Sequence, residues 1–422
     1  MKRRASASAW RILSMASIGL VAVASAAVAT AQGFDPRRPK TVVVGAPKGD
    51  AAMARVSPRR DGRASKALPT KKLHVEWKKT TGAPLENSPL VDETGRVIVA
   101  GVRGDVVFLG SDGDERGRIT TGASNPGPPA LTGDGTVVFV AQNGEIVGAR
   151  GTSRRFSVRL GVGGVAKVAP LPLADGGFVA AVGTELVLLD AEGSVRARAQ
   201  AQEPIVGPLL GVGGRVVAAS RAGTVFTWAP GAEVVRVGSF RATIDGNLAL
   251  EDHGHLLAIT DQTQLTELDL ARGTTTTRGT AAPGSLYLGP PALGPNGTAI
   301  LGNTFGVSYL VLIDRAGLET RTTVGVAPPA GPTLLPDGGA PALTVPQHTG
   351  PLVDDRGTVA FITPEGVVGV ASRESGVSTL GDPPCGRASA GRTALQPGLS
   401  PAGAGAFYVA CESGTVVKVA GD

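Results

Sequence analysis

The chain has 422 residues, and its 61 Gly and 31 Pro exceed the share of an average globular protein without reaching that of low-complexity disorder; 42% apolar residues still suffice for a core. Its net charge of +6 is uneven: four Lys/Arg give +4 in residues 1–31, eleven against three acids give +8 in residues 32–72, and 26 against 32 give −6 beyond. A mildly acidic body excludes the footprint of a nucleic-acid binder.

In chain order, residues 1–31 come first and have the layout of a secretory signal peptide. Met1 to Arg4 is cationic, Ile12 to Val28 is apolar and uncharged, and Ala29-Thr30-Ala31 supplies small residues before a cut at Gln32. Left uncut, the same stretch would be a membrane anchor. Export to a periplasmic or extracellular compartment follows from the first reading. Residues 32–72 are a basic, Pro/Arg-rich arm and entry segment, the arm expected to be a solvated linker, with contact to an anionic surface as the alternative.

Residues 73–422 carry a repeat. A Pro is followed six residues later by Gly and then by a β-branched or apolar run at Pro89/Gly95, Pro129/Gly135, Pro170/Gly176, Pro208/Gly214, Pro291/Gly297, Pro351/Gly357 and Pro397/Gly403; Leu248/Gly254 fills the remaining gap. The separations are 40, 41, 38, 40, 43, 60 and 46 residues, and the 60 contains a Pro/Gly-rich insertion around 326–347, read as a surface loop. Within the first unit, "SPLV", "RVIVA", "GDVVFLG" and "RIT" read as four short strands separated by Asp/Gly turns. Their apolar runs are continuous, so both faces of the inner strands must be covered, as in stacked propeller blades.

The last unit ends at Asp422 one strand short, while "LHVEW" (Leu73 to Trp77) precedes the first. The expected fold is therefore all-β: an eight-bladed β-propeller of four-stranded antiparallel blades, its ring closed by an N-terminal strand.

The segment from Met53 to Gly113, together with "LVLLDAEGSV" (Leu186 to Val195) and "LTELDLARGT" (Leu265 to Thr274), resembles the PQQ-like β-propeller repeat proteins. That group includes the quinoprotein alcohol dehydrogenases and the BamB subunit of the outer-membrane β-barrel assembly machine. Trp77, Gly82, Ser88-Pro89 and Asp92 to Gly95 carry the likeness. The resemblance implies the fold over roughly residues 51–422 and is neutral between enzymes, scaffolds and sensors. Two features of that group are missing. Only Trp77 keeps the Trp that docks one blade on the next, Trp228 falling within a third strand, so docking is expected to rest on aliphatic and Ala/Gly packing. The adjacent cysteine pair that holds the quinone in the enzymes is also absent.

Other candidate chemistry is sparse. His253 and His255 flank Gly254 and read either as two metal ligands short of a third or as a polar turn. His74 and His348 have no nearby nucleophile, and "SDGDERG" (Ser111 to Gly117) reads as an Asp-Gly turn because it lacks the later Glu of a calcium loop. Neither a catalytic, a cofactor-binding nor a metal-binding residue is assigned. The two cysteines, Cys385 and Cys411, are expected to form a disulfide in an oxidising compartment, worth roughly 3 kcal/mol in the chain-entropy model; two separate buried thiols are the alternative. The functional expectation is an exported, non-catalytic scaffold that binds protein partners through its rim loops, possible settings including envelope protein assembly. A quinoprotein-type dehydrogenase and a ligand-sensing ectodomain are the alternatives.

Overall fold

A computed structural model describes residues 44, 49–53, 55–122, 127–160, 168–251, 254–304, 307–326, 350–386 and 398–422. Residues 1–43 and the insertion around 326–347, apart from its first residue, lie outside the described residues. Among those described, no helix is long and apolar enough to cross a membrane.

The described residues form eight four-stranded antiparallel sheets, taken here as blades 1 to 8 in chain order. Blade 1 comprises Leu90–Val91, Val97–Ala100, Asp105–Leu109 and Glu115–Thr120. Its outer strand begins earlier than "RIT" would have it. The third-to-fourth turn occupies only residues 110–114, because the Asp112 carboxylate accepts the Asp114 amide while Gly113 N–H bonds Gly110 O, leaving Glu115 free to pair with Leu109. Blade 8 takes Gly398–Pro401, Ala406–Cys411 and Thr415–Ala420 from the C-terminal end and His74–Thr80 from the N-terminal side, the last pairing antiparallel with Thr415–Ala420.

The repeated Asp-x-x-Gly explains the turn after the first strand. Asp92 Oδ1 accepts the amides of Thr94 and Arg96, and Gly95, at φ 78°, donates to Asp92 O. Asp354 and Gly357 repeat this geometry in blade 7, with φ 81° at the glycine. The left-handed backbone is what demands Gly at the fourth position.

Second strands are buried on both faces, as the continuous apolar runs imply. In blade 1, Val97 and Val99 face blade 8, where they meet Tyr408 and Ala410, whereas Ile98 faces Val137 and Phe139 of blade 2. The hydrophobic clusters follow this rule around the molecule, each joining two neighbouring blades. Blade 8 thus has blade 7 on one side and blade 1 on the other. At roughly 1.5–3 kcal/mol per fully buried aliphatic or aromatic side chain, these seams outweigh the outer-strand ion pairs, worth roughly 0–1 kcal/mol each when exposed.

Two aromatics reinforce the aliphatic docking. Trp77 donates its indole N–H to Ser111 O at 2.9 Å and lies so close over Gly113 that a Cβ there would sit 2.8 Å from the ring. Phe156, on the outer strand of blade 2 (Ser153–Arg159), makes the corresponding contact on Gly193 of blade 3. First strands of successive blades lie side by side and enclose the central channel. Between blades 4 and 5 they approach so closely that a Cβ on Gly207 would lie 2.5 Å from the Cα of Gly246.

Candidate functional site

The channel is the natural place for a ligand, because the inner edges of eight first strands point their unpaired backbone groups into it. The chain itself takes up part of this wall. Residues 49–53 and 55–68, within the arm expected to be a solvated linker, run along the ends of the first strands: Ala51, Ala52, Met53, Arg60, Ala64 and Leu68 are buried. That expectation is corrected by a regular set of hydrogen bonds. The amide two residues after the repeat position donates to this segment in blades 1, 2, 5, 6 and 7: Val91 to Ala51 O, Leu131 to Ala52 O, Leu250 to Arg59 O, Leu293 to Asp61 O and Val353 to Gly62 O, all at 2.7–2.9 Å. Gly211 of blade 4 donates to Pro58 O and Gly405 of blade 8 to Ala67 O, while Ala51 and Ala64 donate back to Val91 O and Val353 O. Val44 bridges to Leu173 of blade 3.

Two arginines tie blades together from inside. Arg60 is fully buried and donates to Pro170 O (2.7 Å) and Leu209 O (3.3 Å), linking blades 3 and 4. Arg55 donates to Pro351 O (2.6 Å) and Pro291 O (2.7 Å), linking blades 6 and 7. Three of these four carbonyls belong to the repeat prolines. Removal from water pushes the Arg60 guanidinium down to about 9 and that of Arg55 to about 10, the latter against the opposing charge of Asp61. Burial also raises the Asp61 carboxyl, although the Ser57 hydroxyl, the Arg63 amide and the charges of Arg55 and Arg59 oppose it. Leu68 N–H reaches the buried Asp354 Oδ2 at 2.9 Å, so the turn motif of blade 7 also anchors the segment.

Beside the segment a polar cleft of about 370 Å³ opens among Asp50, Ser65, Lys66, Asp92 and Glu93. Asp92 is already engaged there by the Thr94 hydroxyl and the Arg96 guanidinium.

The histidine motif is only partly visible. His253 lies outside the described residues, whereas His255 meets Glu267 and Glu251, their ligand atoms lying within 4.8 Å of one another. Arg278 bridges both carboxylates and so already gives them a cationic partner. Asp112 is paired with Arg116, and His74 sits exposed with Nδ1 against Lys72 O. His348 lies outside the described residues. The structure brings Cys385 and Cys411 together, with sulfurs 2.02 Å and Cα atoms 5.3 Å apart. They join the loop entering blade 8 to the end of its second strand, beside the seam with blade 7.

No protein-family profile matches the chain, and no curated protein sequence matches it significantly. Solved structures do. BamB from Moraxella catarrhalis superposes with a TM-score of 0.54 at 17% identity, over 82% of this chain and 97% of that one. A europium-containing methanol dehydrogenase gives 0.60 at 11% identity, over 86% and 89%. The quinohemoprotein alcohol dehydrogenase from Comamonas testosteroni gives 0.60 at 12%, over 90% and 82%. In fold, the chain is an eight-bladed β-propeller. At these identities the likeness carries architecture and no site.

The burial of residues 49–53 and 55–68 against the first strands was not read from the sequence. A run such as Arg59-Arg60-Asp61-Gly62-Arg63 has the composition of a solvated linker. The usable signal was the small residues Ala51, Ala52, Gly62 and Ala64, which allow close approach to strand edges at the contact points.

Proposed function

We propose that this protein is an exported, non-catalytic scaffold that binds protein partners through the loops on the faces of its propeller, with envelope protein assembly as the setting. The observation carrying this reading is Arg60 buried within the ring of first strands, on the carbonyls of Pro170 and Leu209. The residues there do not fit a quinone: two cationic side chains and a polypeptide segment take up the backbone groups of the channel wall, and the two cysteines are paired across a loop rather than adjacent. Partner binding then falls to the rims. The likeness in fold to BamB supports the same reading.

Two assays test it. Purified protein supplied with pyrroloquinoline quinone, calcium and primary alcohols is expected to reduce an artificial electron acceptor no faster than the blank; turnover would overturn the proposal. Photo-cross-linkers placed in cells at Arg221 and at the 70%-exposed Leu318, in turns at opposite ends of the strands, should give discrete protein adducts. Absence of adducts at both positions would count equally against it. Export predicts a mature N-terminus at Gln32.

A further inference from the structure

We infer that residues 49–53 and 55–68 belong to an obligate inner scaffold around which the blades close, so that the segment leaves the channel only when the whole propeller unfolds. Three observations meet here. The amides of Val91, Leu131, Leu250, Leu293 and Val353 belong to five different blades, yet each has its acceptor on the segment. Withdrawing the segment alone would strand all five in a narrow channel, where an unpartnered buried polar group is strongly unfavourable.

Arg60 and Arg55 each bridge two adjacent blades, and Ala51 with Ala52 bridges blades 1 and 2. These bridges add to the seams between neighbouring blades, and the separate bonds to blades 1, 2, 5, 6 and 7 also tie non-neighbouring blades to one segment. Sliding in after closure is also disfavoured. The guanidinium of Arg60 would have to shed its water before reaching the Pro170 and Leu209 carbonyls, whereas blades that assemble around it exchange water for carbonyls as they arrive. A propeller with few docking tryptophans gains from this inner pin cohesion beyond what the outer strands supply at contacts such as Trp77 and Phe156.

Native-state hydrogen exchange on the intact chain tests this. The five blade amides bonded to the segment, with those of Ala51 and Ala64, are expected to exchange within tenfold of the slowest amides of the third strands, such as Val107 and Val417, all slowed by roughly 10⁴-fold or more. Exchange of the segment-bonded set more than tenfold faster than the third strands would mean that the segment opens by itself, and would overturn the inference. A second measurement needs no refolding. With a specific protease site inserted between the exposed Lys71 and Lys72, cutting the folded protein should leave the N-terminal fragment bound through gel filtration, or abolish the folding transition if it departs. Release of the fragment from a remainder that melts at its former temperature would refute the scaffold role.

Discussion

Asp354 concentrates the tasks of the repeat in one carboxylate. It accepts the Arg356 and Thr358 amides to close the turn and the Leu68 amide to hold the segment, and it is 1% exposed. Asp190 makes the same kind of turn in blade 3, accepting the Glu192 and Ser194 amides, but it is only half-buried and has no part in the channel. Asp354→Ala is therefore expected to cost about 2–3 kcal/mol and Asp190→Ala about 1 kcal/mol in urea unfolding; equal costs would separate Asp354 from the segment. A pH dependence belongs to Asp92. Burial alone would raise its carboxyl, but the Thr94 hydroxyl, the Arg96 guanidinium and their backbone amides outweigh that and hold it below the usual carboxylate range. With the folded value depressed, its contribution is present above the unfolded value of about 3.9 and is lost as pH falls through the folded one. Asp92→Asn should flatten the acid limb of stability below pH about 4 while lowering stability at pH 7. An unchanged acid limb would show that other carboxylates govern it.

At the scale of the element, the outer strands show how edges are kept from pairing. Arg118 with Glu115, Arg155 with Asp134, and Arg198 with Glu185 place charge along outer strands or against them, which discourages a second chain from adding there. The strand His74–Thr80 is different, because it covers the edge of Thr415–Ala420 and carries Trp77 to blade 1. Deleting residues 73–80 should expose an apolar strand, abolish the sharp thermal transition and lead to aggregation. A soluble deletion variant with a wild-type melting temperature would show that blade 8 holds with three strands.

For the whole molecule, blade number and the strands of the first unit were legible, because Pro and Gly six residues apart mark where a first strand ends and its turn begins. The channel was not legible. Arg55 and Arg60 read as solvated charge because burying a guanidinium is rarely favourable, and only the folded ring supplies the Pro170, Leu209, Pro291 and Pro351 carbonyls that offset it. Pairing of Cys385 with Cys411 rests on compartment as well as geometry. Alkylation of the native protein without reductant should label neither thiol, and reduction should cost up to about 3 kcal/mol for a loop with sequence separation 26; two labelled thiols in the native protein would contradict the bond.

The occupied channel itself is tested most directly by brief trypsin digestion of the native full chain, with the cut sites mapped by mass spectrometry. Lys71 and Lys72 are exposed, whereas Arg60 is buried and the backbone on either side of it is bonded to first strands. The account predicts no cleavage after Arg55, Arg59 or Arg60 until the protein is unfolded, when all three are cut as readily as Lys71. Rapid cleavage after Arg59 or Arg60 in the native protein, with the propeller left intact, would place the segment in solvent and contradict it.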